Sequence, residues 1–68
     1  MEFGTVKSYD TSRGFGFIEG DDDEDYFVHA NDLDASIPGR ILKPGQRVRF
    51  SVFREMKGDR AVKVQLLK

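Results

Sequence analysis

The stretch of sequence that decides the fold is residues 12–19, Ser-Arg-Gly-Phe-Gly-Phe-Ile-Glu. Residues two apart in an extended strand share one face, so Phe15 and Phe17 point to one side and Ile18 to the other. Glycines at positions 14 and 16 leave the backbone open to close approach. The pattern predicts a strand with two rings on one face, a surface on which the bases of a nucleic acid can stack.

A second alternating stretch covers residues 25–30, Asp-Tyr-Phe-Val-His-Ala. A glycine and a run of acidic residues separate it from the first stretch, which is typical of a hairpin turn. Pairing of the two strands would place Phe27 and His29 beside Phe15 and Phe17. We call these four side chains the aromatic platform.

The alternative is that the rings of the aromatic platform lie in the core. That arrangement would leave Ile18, Tyr26 and Val28 in water. These three side chains form the better core set. We therefore expect the aromatic platform to face solvent.

Composition limits the class of protein to which the chain can belong. Its 68 residues are enough for one domain, residues 1–68. The chain has no cysteine and one histidine, which excludes disulfides and leaves no cluster of metal ligands. No apolar run approaches the ~18 residues of a membrane span, and we expect no signal peptide before the first strand. We expect a cytoplasmic protein without a cofactor, a bound metal or a membrane partner.

The net charge of −1 conceals a strong asymmetry between the two halves of the chain. Residues 1–34 carry two basic and ten acidic side chains, whereas residues 35–68 carry nine basic and two acidic ones, so the halves have charges of −8 and +7. The basic half can meet the phosphates of a nucleic acid. Alternatively, the halves neutralise each other across a small barrel, and both interpretations can hold in part.

Alternation along the chain predicts five short strands and no long helix. The predicted strands are residues 3–9, 13–19, 26–30, 46–54 and 60–67. Such a pattern indicates an all-β protein, and closure into a barrel removes exposed sheet edges that so small a chain cannot cover. In the last strand, Val62 and Val64 are the predicted core pair, after a turn at residues 57–59.

The long connection, residues 31–45, is predicted to hold only one short helical turn. Asn31 is the expected cap of that turn, which ends at Leu33. Two Pro-Gly pairs, at 38–39 and 44–45, then interrupt any regular structure. Loops of this length tend to be functional or mobile.

Residues 14–18, Gly-Phe-Gly-Phe-Ile, and residues 27–29, Phe-Val-His, resemble the two ribonucleoprotein motifs of the cold-shock proteins and cold-shock domains. Residues 4–7, 42–48 and 57–61 resemble further segments of that family in the same order. The resemblance covers almost the whole chain and implies a five-stranded antiparallel OB-fold barrel. The RNA-recognition-motif fold shares the Gly-Phe-Gly-Phe segment, but it needs two helices that this sequence does not supply.

The resemblance also implies a nucleic-acid-binding surface. Phe15, Phe17 and Phe27 would stack on bases, and His29 would stack or donate a hydrogen bond to a base edge. The basic members of the set would meet phosphates, while Asp25 would accept from a base amino group, unless it belongs only to a solvated acidic turn. The predicted nucleic-acid-binding residues are Lys7, Tyr9, Arg13, Phe15, Phe17, Asp25, Phe27, His29, Lys57 and Arg60.

The sequence departs from the family pattern at three aromatic positions. The family's first strand typically has Trp where this chain has Ser8, its Phe-Val-His-Phe ends here in Ala30, and the long loop lacks an aromatic residue. Each stacked ring contributes roughly 1–3 kcal/mol to binding. Tyr9, Arg40 and the basic residues near the last turn are the expected compensations. We expect binding that is weaker and more salt-dependent than that of a relative with all the rings.

The function implied by the resemblance is the binding of single-stranded RNA or DNA. We expect the protein to act as a monomer. Weak stacking keeps a strand unpaired without retaining it, as in an RNA chaperone or a regulator of transcription or translation in a stress response. The alternative is a protein-interaction module that uses residues 21–25 or the arginine-rich fourth strand. An enzyme is not expected, because the sequence has no nucleophile–base pair, metal cluster or phosphate-binding loop.

Overall fold

The computed structural model describes residues 1–67 and contains five strands; Lys68, counted above among the basic residues, lies outside the described residues. The strands are β1 (Glu2–Asp10), β2 (Phe15–Gly20), β3 (Asp25–His29), β4 (Arg47–Glu55) and β5 (Gly58–Leu66). They form a closed barrel in the order β1-β2-β3-β5-β4. The all-β class and the five-stranded barrel are confirmed.

One ladder of the barrel differs from the antiparallel arrangement expected from the sequence. β3 and β5 run parallel and meet through the single pair Phe27 and Arg60, whereas the other ladders are antiparallel. This parallel contact closes the barrel. In the described part of the chain, no helix has the length and apolar character that crossing a membrane would need.

The core confirms that the aliphatic face of β2 and β3 points inward. Ile18 and Val28 are fully buried and Tyr26 nearly so, while Phe17 and Phe27 are 41% and 36% exposed. Burial of the aliphatic set therefore leaves the rings in solvent. The buried core consists of Val6, Ile18, Tyr26, Val28, Leu33, Ile37, Leu42, Val48, Phe50, Ala61 and Val64.

In β5, the prediction that Val62 and Val64 form the core pair is wrong. Ala61 and Val64 are buried, and Val62 is half-buried. Between the pairs Ser51–Val62 and Arg49–Gln65, β5 contains one residue more than β4. Lys63, with a φ of 53°, lies in this bulge, which reverses the alternation of inward and outward side chains.

The long connection begins with a helical turn that is capped differently from the prediction. The 3₁₀ turn spans Ala30–Asp32, and its cap is His29 rather than Asn31. His29 Nδ1 accepts a hydrogen bond from the backbone N–H of Asn31, and the Asp32 carboxylate accepts one from the backbone N–H of His29, both at 3.2 Å. A second short turn spans Pro38–Arg40, and the buried side chains of Ile37 and Leu42 fix the loop to the core.

β1 and β2 approach each other closely at Gly16. A Cβ atom at this position would collide with the carbonyl oxygen of Ser8 and would lie 2.7 Å from Tyr9 Cα. Contacts this short to backbone atoms cannot be relieved by moving a side chain. Glycine between the two rings of β2 is therefore needed for the barrel as well as for an open stacking surface.

Candidate nucleic-acid interface

The aromatic platform forms where β2 pairs with β3. Phe15 lies opposite His29, and Phe17 lies opposite Phe27. The ring centroids of Phe15 and Phe27 are 5.8 Å apart in a stacked arrangement, and those of Phe17 and Phe27 are 5.8 Å apart edge to face. Phe27 thus contacts both neighbouring rings and holds them in a fixed geometry, as such aromatic pairs do.

His29 is oriented by its role as the helix cap. Because Nδ1 accepts the hydrogen bond from Asn31, that nitrogen carries no proton, and the neutral ring carries its proton on Nε2. The ring is half-buried. A donor at Nε2 is what a hydrogen bond to a carbonyl oxygen or ring nitrogen of a base requires.

The β1 edge of the platform lacks a ring. The ladder between β1 and β2 pairs Val6 with Ile18 and then Ser8 with Phe17, so that Lys7 is an extra residue in a bulge. Ser8 is exposed and lies directly opposite Phe17. The position at which the resemblance predicts a Trp is therefore open space beside an exposed ring.

Two predicted phosphate ligands form exposed ion pairs with carboxylates near the platform. Lys7 Nζ lies 3.1 Å from Asp25 Oδ2, and Arg13 Nε lies 3.8 Å from Asp10 Oδ2. The hydrogen bond to Asp25 raises the pKa of Lys7 above its ordinary value. Exposed pairs of this kind are weak, so a phosphate can replace the carboxylate as the partner of either cation.

The remaining two basic residues of the predicted set lie at the β4–β5 end. Arg60 is held between two carboxylates, with Nη1 3.0 Å from Glu55 Oε1 and Nε 3.3 Å from Asp32 Oδ2, the latter at an angle that makes no hydrogen bond. Lys57 is exposed in the β4–β5 turn, which consists of Met56 and Lys57 rather than residues 57–59. Within residues 1–67, Lys57 has no ion-pair partner.

Comparison with known proteins agrees with this geometry. The family described as the "Cold-shock" DNA-binding domain matches residues 2–67. The chain belongs to the cold-shock domain family. Cold shock protein CspC of Bacillus subtilis is 40% identical over 65 residues, covering 96% of this chain and 97% of that protein. A cold shock-like protein of Aquifex aeolicus is 41% identical over 66 residues, covering 94% and 91%.

A solved structure supports the same cold-shock fold. Drosophila Unr CSD456 superposes with a TM-score of 0.77 at 26% identity, over 98% of this chain. This chain spans 26% of that longer protein. The family assignment confirms the resemblance found in the sequence, and a family described as DNA-binding agrees with the expectation of a binding protein rather than an enzyme.

Within this cold-shock domain, the prediction that Tyr9 lies on the stacking face is wrong. Tyr9 pairs with the buried Gly16 and packs against the core, so its ring points away from the platform. Its hydroxyl donates a hydrogen bond to the carbonyl oxygen of Arg40 at 3.3 Å, and burial raises the pKa of the phenol. Tyr9 therefore ties the long connection to the barrel and does not replace the missing ring at Ser8.

Phe53 is an exposed aromatic residue beside the predicted binding residues, and the sequence analysis did not include it among them. Its ring is 53% exposed, and the guanidinium carbon of Arg60 lies 5.6 Å from the ring centroid. The alternation of β4 correctly predicts that Phe53 points outward. Its position next to Arg60 depends on the pairing of β4 with β5, which alternation does not determine.

The charged halves of the cold-shock domain neutralise each other only in part. Arg47 makes a bidentate pair with Asp21 at 2.8 and 2.9 Å, and the pair of Arg60 with Asp32 also joins the two halves. Five basic side chains within residues 1–67 have no ion-pair partner. They are Arg40, Lys43, Arg49, Lys57 and Lys63.

Proposed function

We propose that this protein binds single-stranded RNA or DNA by stacking unpaired bases on the aromatic platform. The observation that supports this most directly is the exposure of Phe17 and Phe27 outside a hydrophobic core that is complete without them. The core does not need these rings, and exposed aromatic side chains in mutual contact form a surface suited to flat ligands. Membership of a family described as DNA-binding supports the same function.

Stacking on the platform selects unpaired strands. A base inside a duplex has both of its faces covered by neighbouring bases, whereas a base in a single strand can lay one face on Phe17 or Phe27. A ligand that binds only the unpaired state shifts the equilibrium towards that state. The protein would therefore melt secondary structure, which is the action of an RNA chaperone and a basis for regulating transcription or translation under stress.

Binding should be modest in strength, since the interface has few rings and some of its cations already have partners. A phosphate that approaches Lys7 must displace Asp25, and one that approaches Arg60 meets Glu55 and Asp32. A phosphate that approaches Lys57 displaces no carboxylate that is paired with it among the described residues. Weak binding with rapid release is compatible with a chaperone, which must leave the strand after opening it.

The acidic segment argues against the alternative of a protein-interaction module. Asp21 pairs with Arg47, the Asp22 carboxylate accepts a hydrogen bond from the Tyr26 hydroxyl at 2.6 Å, and Asp25 pairs with Lys7. These carboxylates serve contacts within the barrel. A segment used in this way is less available to a basic partner.

We further propose that residues 1–68 form a single cold-shock-like OB-fold domain that acts as a cytoplasmic monomer and needs no cofactor. The family match over residues 2–67 supports the domain assignment. The absence of cysteine suits a reducing compartment. The stacking mechanism uses only side chains of this chain.

The proposal is tested by titrating a labelled oligo-dT or oligo-U of about seven nucleotides, a length within the range bound by OB folds, and following fluorescence anisotropy at two salt concentrations. Phe27→Ala and Phe15→Ala should abolish or strongly weaken a binding that salt also weakens. Phe3→Ala is the matched control, because Phe3 is 46% exposed but lies opposite Arg49 on the β1–β4 ladder. Absence of binding, or binding indifferent to the platform rings, would overturn the proposal.

A further inference from the structure

A row of side chains crosses four strands of the barrel. Phe17 of β2 lies opposite Phe27 of β3, Phe27 lies opposite Arg60 of β5, and Arg60 lies opposite Phe53 of β4. Neighbouring strands are about 4.8 Å apart, so the row extends about 14 Å around the barrel. The aromatic platform is therefore one part of a longer line of flat side chains.

Arg60 connects the platform to Phe53. Its guanidinium is restrained by Glu55 and Asp32 and lies 5.6 Å from the centre of the Phe53 ring. A groove beside it is lined by Phe17, Phe27, Lys57, Gly58 and Arg60 and by the carboxylates of Asp25, Glu55 and Asp59. Guanidinium planes and aromatic rings are both surfaces on which bases stack.

Phe53 has no role in the core that explains its presence. The inward positions of β4 are taken by Val48 and Phe50, which are fully buried, while Phe53 is 53% exposed. It lies on the outer surface of the barrel, as the platform does, and next to Arg60. Its exposed ring is suited to stack on a base that comes next along the same nucleic-acid strand after the bases on the aromatic platform.

We propose that Phe53, together with Arg60, is a further base-stacking subsite, so that a bound single strand crosses from β2 to β4 instead of ending at β3. This inference rests on the proposed function. The added ring at Phe53 then extends the stacking surface towards β4, on the side of the platform opposite the missing ring at Ser8. Two strand spacings beyond Phe27, about 10 Å, correspond to two or three nucleotides at the ~3.4 Å spacing of one DNA strand.

The test compares short and long oligo-dT, about four and about nine nucleotides, on the wild-type protein and on Phe53→Ala, with Phe3→Ala as the exposed-ring control. Loss of one stacked base predicts at least about fivefold weaker binding of the long oligonucleotide by Phe53→Ala. The short oligonucleotide should change much less, and Phe3→Ala should change neither. Thermal unfolding of both variants checks that the barrel is intact.

The outcomes separate the subsite from the function on which it rests. If Phe27→Ala loses binding while Phe53→Ala binds the long oligonucleotide as the wild type does, the subsite is refuted and the proposed function stands. If the wild type binds neither oligonucleotide, the proposed function fails. If the wild type sediments as a dimer and Phe53→Ala as a monomer, Phe53 contacts a second copy of the chain and the subsite is again refuted.

A second variant gives a direct optical readout. The chain contains no tryptophan, so Phe53→Trp introduces a single indole at the proposed subsite. Stacking on a base should quench its fluorescence with the same midpoint that anisotropy reports for the long oligonucleotide. An indole whose emission does not respond while the oligonucleotide binds would overturn the subsite.

Discussion

Restoring a ring at the β1 edge should turn this protein into a tighter binder. Ser8 is exposed and lies opposite Phe17, so Ser8→Trp would place an indole on the stacking face. The bulge at Lys7 turns residue 8 outward, and the substitution needs no change in the backbone. An aromatic pair across two strands also adds about 0.2–1 kcal/mol to stability, so the variant should fold at least as well as the wild type.

The expected gain follows from the energy of one stacked base. A ring that stacks on a base contributes about 1–3 kcal/mol, and each 1.4 kcal/mol is a tenfold change in affinity. Ser8→Trp should therefore bind oligo-dT about 5- to 150-fold more tightly. Since the substitution adds no charge, the slope of log K against log salt should stay the same.

The measurement is fluorescence anisotropy of a labelled oligo-dT of about seven nucleotides, with quenching of the new indole as an independent readout. Ala35→Trp is the control, because Ala35 is exposed in the long connection between its two helical turns. An unchanged affinity for Ser8→Trp, or an equal gain for both variants, would refute the reasoning. The first result would mean that the strand does not cross the β1 edge, and the second that any exposed indole improves binding.

Three further perturbations test the surroundings of the interface. Asp25→Asn should free Lys7 for a phosphate. Oligo-dT binding should become tighter, and the slope of log K against log salt should become steeper by about one unit. Weaker binding would instead show that Asp25 contacts the nucleic acid. Gly16→Ala should lower the free energy of unfolding in urea by about 1–3 kcal/mol or more, because its Cβ would meet the backbone of β1, and a wild-type urea midpoint would contradict that close approach. The hydrogen bond to Asp22 raises the pKa of Tyr26 from 10.0 to about 12; since the folded pKa lies above the unfolded one, this stabilisation is complete below pH 10 and is lost as pH rises through 12. Tyr26→Phe should remove that ionisation from an absorbance titration, and an unchanged titration curve would argue against the assignment.

The two-residue alternation of β2 and β3 was sufficient to predict the platform and the core beneath it. Ile18 and Val28 had to be buried, and the rings between them then had to face solvent. No other arrangement of that hairpin buries the aliphatic side chains. The two-residue alternation is informative because the inward face of each strand must exclude water.

The errors arose where a bulge interrupts the alternation. In β1, the extra residue at Lys7 turns Ser8 outward and Tyr9 inward, so a simple count places Tyr9 on the wrong face. In β5, the bulge at Lys63 places Ala61 in the core instead of the predicted Val62. Neither bulge is marked by a glycine, and a lysine with positive φ leaves no signal in a single sequence.

The closing contact of the barrel was also beyond prediction. The pairing of Arg60 with both Phe27 and Phe53 depends on how β5 meets β3 and β4 at the same time. Such long-range register follows from the three-dimensional closure of the sheet. The basic residue itself could be found in the sequence, but its position between two rings could not.

The parallel contact between β3 and β5 gives the barrel a seam. A single pair of residues, Phe27 and Arg60, joins these strands, so breathing of the barrel should begin there, where the fewest ladder bonds must break. Both residues of the seam belong to the proposed binding surface. A nucleic acid bound across this contact would hold β3 and β5 together. Amide hydrogen exchange in β3 and β5 should then slow more than in the β1–β4 ladder. The nucleic acid that the protein unfolds would in this way stabilise the barrel.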